Sequence, residues 1–239
     1  MKKGAKGYFK SKTIMIPKRR SVENDYKYFD PPRIIWEKIN TNHWPYKTNR
    51  DLYWLRDLSF MCLLYMTCAR VSELCRFKRD HIFAPSITKD QFVRIGDFLA
   101  IRNLRIIKRK KIVDLSDYPS RQEIYLPLKG ELSIFTKPIL KYLDKLTSNE
   151  ELFKFRNVRG YQIVTYCTDG EFPHYLRDMG LKMWLRLYGL NVLQLKEFSG
   201  HKRLENLIRY LREAESEETM RKMLTIKLED FEPKEIPEK

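Results

Sequence analysis

Between Asn49 and Tyr65 the apolar residues Leu52, Leu55, Leu58, Met61, Cys62 and Tyr65 recur at three- and four-residue steps, the period of a helix with a buried stripe. The spacing predicts a core helix that ends shortly before Arg70, then a short helix through Glu73 to Phe77. Farther on the texture changes. Phe98–Ile101 and Glu123–Leu128 are short β-like runs with basic residues between them, which predicts a small antiparallel sheet between Phe92 and Leu128. Helical period returns from Phe135 to Leu146 and is lost from Arg156 to Glu171, where Gly160 and Gly170 punctuate an expected loop.

Pro173 suits the first turn of a helix whose stripe is Leu176, Met179, Met183 and Leu187, with Gly189 placed to cap its C-terminus. Gly180 inside that helix is a local contradiction, since an interior glycine costs about 1 kcal/mol relative to alanine. A shorter helix is expected from Asn191 to Gly200. A third starts near Arg203 and packs through Leu204, Leu207, Ile208 and Leu211. The fold class predicted is therefore α+β, mainly α-helical, with a small antiparallel sheet and no internal repeat.

Charge divides the chain further. Residues 2–20 hold eight Lys or Arg and no acid, whereas the segment beyond Arg212 is rich in Glu. We expect a basic N-terminal arm over 1–48, a folded domain over 49–212 and an acidic, partly flexible tail over 213–239. With 47 Lys plus Arg against 31 Asp plus Glu, the net charge of +16 creates a field that attracts polyanions and favours nucleic acid as the partner. The longest apolar run, Leu58–Met66, falls short of the ~20 residues a membrane span needs. The charged N-terminus has no apolar segment behind it, so a cytoplasmic location away from membranes is expected. Cys62, Cys68, Cys75 and Cys167 contain no Cys-x-x-Cys pair and read as small buried hydrophobes in a reducing compartment.

One constellation carries chemistry. Cleaving a phosphodiester without a metal requires cationic donors for the transition-state oxygens, and Arg70 and Arg177 fit because a guanidinium stays charged and donates paired hydrogen bonds. His174 lies three residues before Arg177 on the same helical face, and His201 follows Gly200 at a helix end. Tyr210 sits beside the Leu204/Leu207/Ile208/Leu211 stripe, where its hydroxyl can leave the core as a nucleophile. The leaving oxygen needs a proton, and Lys108, then Lys110, are the first choices within Lys108–Lys111. Each residue alone is ordinary in a basic chain with fourteen tyrosines. No clustered carboxylates suggest a metal nuclease and no Gly-rich loop suggests nucleotide hydrolysis, so neither metal nor cofactor is expected.

In this order the motifs resemble the active site of the tyrosine recombinase (phage-type integrase) family. Thr67-Cys68-Ala69-Arg70-Val71-Ser72-Glu73-Leu74 is similar to its first arginine box, with Glu73 as the supporting acid. His174-Tyr175-Leu176-Arg177 is similar to its His-x-x-Arg box, and Gly200-His201 followed nine residues later by Tyr210 to its last. The resemblance implies a site-specific recombinase working as a dimer or tetramer on double-stranded DNA, with a mainly helical domain and a small sheet. Tyr210 would form a 3′-phosphotyrosyl link, Arg70, Arg177 and His201 would hold the phosphate, His174 would assist proton transfer and a hairpin lysine would protonate the 5′ oxygen. The chain departs from the pattern at Cys68, where glycine is usual, and at Asp178, where histidine is common. Fewer than fifty residues stand where the family usually has a separate DNA-clamping domain. A Lys- and Glu-rich composition suits an integrase of an archaeal virus or plasmid. The competing reading is a catalytically inactive DNA-binding or architectural protein that kept the fold.

Overall fold

The computed structural model describes residues 50–208, apart from 80–81, 108–118, 169, 189–191, 202 and 205–206. The basic arm, the acidic tail, Lys108–Lys111, Gly189, Tyr210 and Leu211 therefore lie outside the described residues. The architecture is mixed and mostly helical with a small antiparallel sheet, as the periodicity predicts.

Helix α1, Arg50–Thr67, is the axis of the core. Every residue from Asp57 to Ala69 is buried, so its second half is enclosed on all sides rather than along one stripe. Cys68 leaves the helix at φ +50°, the left-handed region that favours glycine, and the chain re-enters a single helical turn, α2, at Val71–Leu74. The expected continuation of α2 to Phe77 does not occur. Cys75 is extended, and Arg76 donates its N–H to Phe155 O at 3.0 Å while its guanidinium pairs with Glu151. Those ties draw the chain into β1, Phe77–Arg79, which pairs antiparallel with β2, Ile82–Ala84, a hairpin the apolar pattern does not announce.

The sheet predicted between Phe92 and Leu128 is present as β3 (Phe92–Ile95), β4 (Phe98–Ile101) and β5 (Ile124–Pro127), antiparallel in that order. Leu99 faces Leu126 and Ile101 faces Ile124, and all four are buried on the core side. Helix α3, Ser133–Leu143, packs on α1, where Ser59 Oγ donates to Pro138 O at 3.0 Å. Phe60 of α1 meets Phe153 and Phe155 edge-on at 5.1 and 5.2 Å.

The stretch Arg156–Glu171 is not a loop: α4 runs from Asn157 to Cys167. Its buried face is Gly160, Ile163, Val164 and Cys167, a helical stripe whose first member has no side chain. The glycine is there for packing, because a Cβ on Gly160 would stand 2.8 Å from Val71 Cγ1 and 2.9 Å from Phe60 Cζ. Helix α5, Pro173–Tyr188, buries Leu176, Met179 and Met183 as expected, and α6, Val192–Ser199, ends at Gly200 with φ +65°. Of the third expected helix, Leu207 is buried and Leu207–Ile208 are helical. The four cysteines are free and buried, and burial pushes the Cys68 thiol up to about 12. Among the described residues no helix is long and apolar enough to cross a membrane.

Candidate active site

The last carbonyls of a helix have no partner within it and carry the negative end of its dipole, so cations collect there. At the end of α1 three side chains from distant parts of the chain supply the donors. Trp184 Nε1 donates to Met66 O at 2.8 Å, Arg121 Nη1 to Thr67 O at 2.8 Å, and Arg177 Nη1 to Cys68 O. Arg121 Nη2 also reaches Cys68 O at 3.4 Å. The 18-residue helix thus anchors two of the arginines at the site.

Arg70 precedes α2, and Glu73 in that turn is the hub. Glu73 is fully buried and accepts from the Arg70 backbone N–H at 3.0 Å, from Arg70 Nη1 at 2.7 Å and from Arg121 Nη2. Burial alone would raise its carboxyl, but Arg121, then Arg177 and Arg70, outweigh that and hold it below the usual carboxylate range. The Arg70 side chain keeps 28% exposure and so reaches solvent.

Arg177, 3% exposed, comes from the second turn of α5. Besides Cys68 O it donates to Ser199 O at 2.8 Å and lies 3.2 Å from both ring nitrogens of His201, while Ser199 Oγ approaches His201 Nδ1 at 2.5 Å. Arg177 forms no ion pair with a carboxylate among the described residues. Burial, then the like charge of Arg121, depresses it to about 10, with Glu73 opposing. Within the hydrogen-bonded cluster, among the described residues, three guanidinium charges, Arg70, Arg121 and Arg177, face the single carboxylate of Glu73, an excess of two positive charges that the nearby Asp178 only partly offsets.

His174 is exposed at the start of α5. Partial desolvation of its ring, then the charge of Arg177, lowers its pKa; Asp178 opposes them, and Arg70 adds a smaller lowering effect. A lowered pKa keeps the imidazole neutral at pH 7, the form that can accept a proton. We expect NMR titration of His174 to give a midpoint below that of free histidine. Inorganic phosphate at the arginines should move it upward, because added negative charge favours the imidazolium.

Of the sequence-predicted residues, Arg70, His174, Arg177 and His201 come together around the end of α1, whereas Lys108 and Tyr210 are outside the described residues. Arg121 was not anticipated. It is one cation among many before β5, and its partners Thr67, Glu73 and Phe198 are 54, 48 and 77 residues away. Arg121, Gly200, His201 and Lys196 line a pocket of about 320 Å³ beside the cluster.

No protein-family model matches this chain, and neither does any curated protein. A solved structure described as XerA recombinase is similar over 81% of this chain at 17% identity and a TM-score of 0.47. The chain spans 65% of the length of that one. At such identity and TM-score the likeness transfers neither activity nor residue roles.

Proposed function

We propose that this chain is a metal-independent DNA strand transferase of the tyrosine recombinase kind. The observation that carries the reading is the cluster at the end of α1: three guanidinium groups hydrogen-bonded around one carboxylate among the described residues, held by backbone carbonyls and Glu73, with Arg70 and His174 reaching solvent. Such a site is poised for an anion whose charge grows in the transition state, as on the non-bridging oxygens of a phosphodiester under attack.

In this reading the Tyr210 oxygen attacks the phosphorus and its proton passes to neutral His174. The bond from phosphorus to the 5′ oxygen breaks, and that oxygen takes a proton from Lys108 or its neighbour Lys110. Arg70, Arg177 and His201 hold the non-bridging oxygens. The product is a 3′-phosphotyrosyl link and a free 5′ hydroxyl, and attack by a 5′ hydroxyl of a partner strand reverses the step. Bond energy is kept in the phosphotyrosine, so no nucleotide cofactor is needed. Residues 49–212 form the catalytic domain, the arm over 1–48 lies along DNA phosphates, the acidic tail over 213–239 stands apart from them, and the protein acts as a homo-oligomer on paired sites.

The test is strand transfer between plasmids carrying cloned segments of the surrounding genome, in EDTA, with wild type beside Arg177→Lys. A lysine keeps the charge and loses the paired donors, so transfer should fall about 10²- to 10³-fold while non-specific DNA affinity changes far less. Equal transfer by both proteins would remove Arg177 from the phosphate.

A further inference from the structure

Arg121 has no part in the chemistry just described, yet its side chain is 0% exposed, as enclosed as that of its partner Glu73. A guanidinium has five N–H donors. Four are engaged: Nη1 with Thr67 O at 2.8 Å and Phe198 O at 3.1 Å, Nη2 with Cys68 O at 3.4 Å and the Glu73 carboxylate. The fifth, on Nε, is buried without a hydrogen-bond partner among the described residues and lies against Gly200, where an added Cβ would stand 3.3 Å away. Both Nη groups are thus committed to the protein and only the enclosed Nε–H is not, so the guanidinium has no pair of donors to offer an incoming phosphate.

The partners of Arg121 are the parts that place the phosphate ligands. Thr67 and Cys68 end the helix to which Arg177 is bonded, Glu73 holds Arg70, and Phe198 precedes the Ser199 that contacts both Arg177 and His201. Its own backbone is fixed by an N–H bond to Leu104 O at 2.8 Å, in line with the bridge between Arg105 and Ser120. One rigid fork therefore joins α1, α2 and the end of α6.

We propose that Arg121 is a positioning residue: by engaging Glu73 together with the ends of α1 and α6, it makes Arg70 and the Arg177–His201 pair face one phosphate. The identity of that phosphate as a DNA phosphodiester rests on the strand-transfer reading; the positioning itself does not. A lysine at 121 cannot reproduce it, since one ammonium cannot span Thr67 O, Phe198 O and Glu73 with the fork geometry of arginine.

The experiment is NMR of the Arg70 Nε–H and the His201 ring, with inorganic phosphate as the probe, on the full chain as wild type, Arg121→Lys, Glu73→Gln and the double variant. Urea midpoints report folding. Arg121→Lys should displace both resonances before any phosphate is added and weaken phosphate binding at least tenfold. Glu73→Gln keeps the arginine and its carbonyl partners, carries the test if the lysine variant does not fold, and should displace Arg70 likewise. The double variant should lose no more affinity than the weaker-binding single, because the two residues act through one network. Unmoved Arg70 and His201 resonances in the phosphate-free variants, or losses that simply multiply, would overturn the proposal. A wild type that binds phosphate and forms no covalent DNA adduct would instead sink the strand-transfer reading and leave these shifts as they are.

Discussion

Gly180→Ala should destabilise the protein by about 3 kcal/mol or more, although the same change in an open helix stabilises by about 1 kcal/mol. A Cβ at this position would collide with the Tyr65 carbonyl oxygen and stand 3.2 Å from its carbon and 3.0 Å from Cys68 Sγ. The oxygen belongs to the backbone of α1, so no rotamer change relieves the overlap and α5 must move away as a body. That movement would stretch the bonds from Trp184 to Met66 O and from Arg177 to Cys68 O, which tie α5 to the helix end. The urea midpoint should therefore drop together with phosphate affinity. An unchanged or raised midpoint would mean that α5 does not approach α1 this closely.

Glu73→Ala should cost about 3–5 kcal/mol, the scale for removing one partner of a buried ion pair. The substitution leaves Arg121 enclosed with its charge unanswered and removes the acceptor that holds Arg70. Glu73→Gln should cost less, because an amide oxygen still accepts a bond from one arginine. Acid unfolding gives a second measure. The folded-state pKa of Glu73 is depressed, so its contribution is fully present above the unfolded value of about 4.3 and is lost as pH falls through the folded one. Stability should thus fall more steeply below the ordinary carboxylate range in wild type than in Glu73→Gln. Superimposable acid curves would show that the carboxylate is not held by the arginines.

The parts of this fold that were legible in the sequence are those whose signal is local. The period of Leu52 to Tyr65 marks α1, Pro173 marks the start of α5, and short β-like runs mark β4 and β5. What escaped depends on contacts between distant segments. The sequence pattern predicts a loop at α4 because the stripe begins with Gly160, whose value is the space it leaves for Val71 and Phe60. Gly180 counted against a helix for the same reason. The hairpin β1–β2 replaced a helical continuation because Arg76 is drawn out by Phe155 and Glu151. Arg70, His174, Arg177 and His201 were identifiable from motif spacing, whereas Arg121 is defined by carbonyl partners, and carbonyls leave no mark in a sequence. The left-handed turn at Cys68 also gives a physical reason for glycine at that position in the resembled family.

The most direct test of the central claim is covalent capture of DNA on a denaturing gel in EDTA, with fragments of the surrounding genome and with Tyr210→Phe beside wild type. We predict an adduct that wild type forms, that resists denaturant, and that Tyr210→Phe does not form while still binding DNA in a salt-sensitive way. An adduct that persists in Tyr210→Phe would contradict the account by assigning the attack to another residue, and its absence from wild type across the whole fragment set would contradict it by leaving a DNA-binding protein without strand transfer.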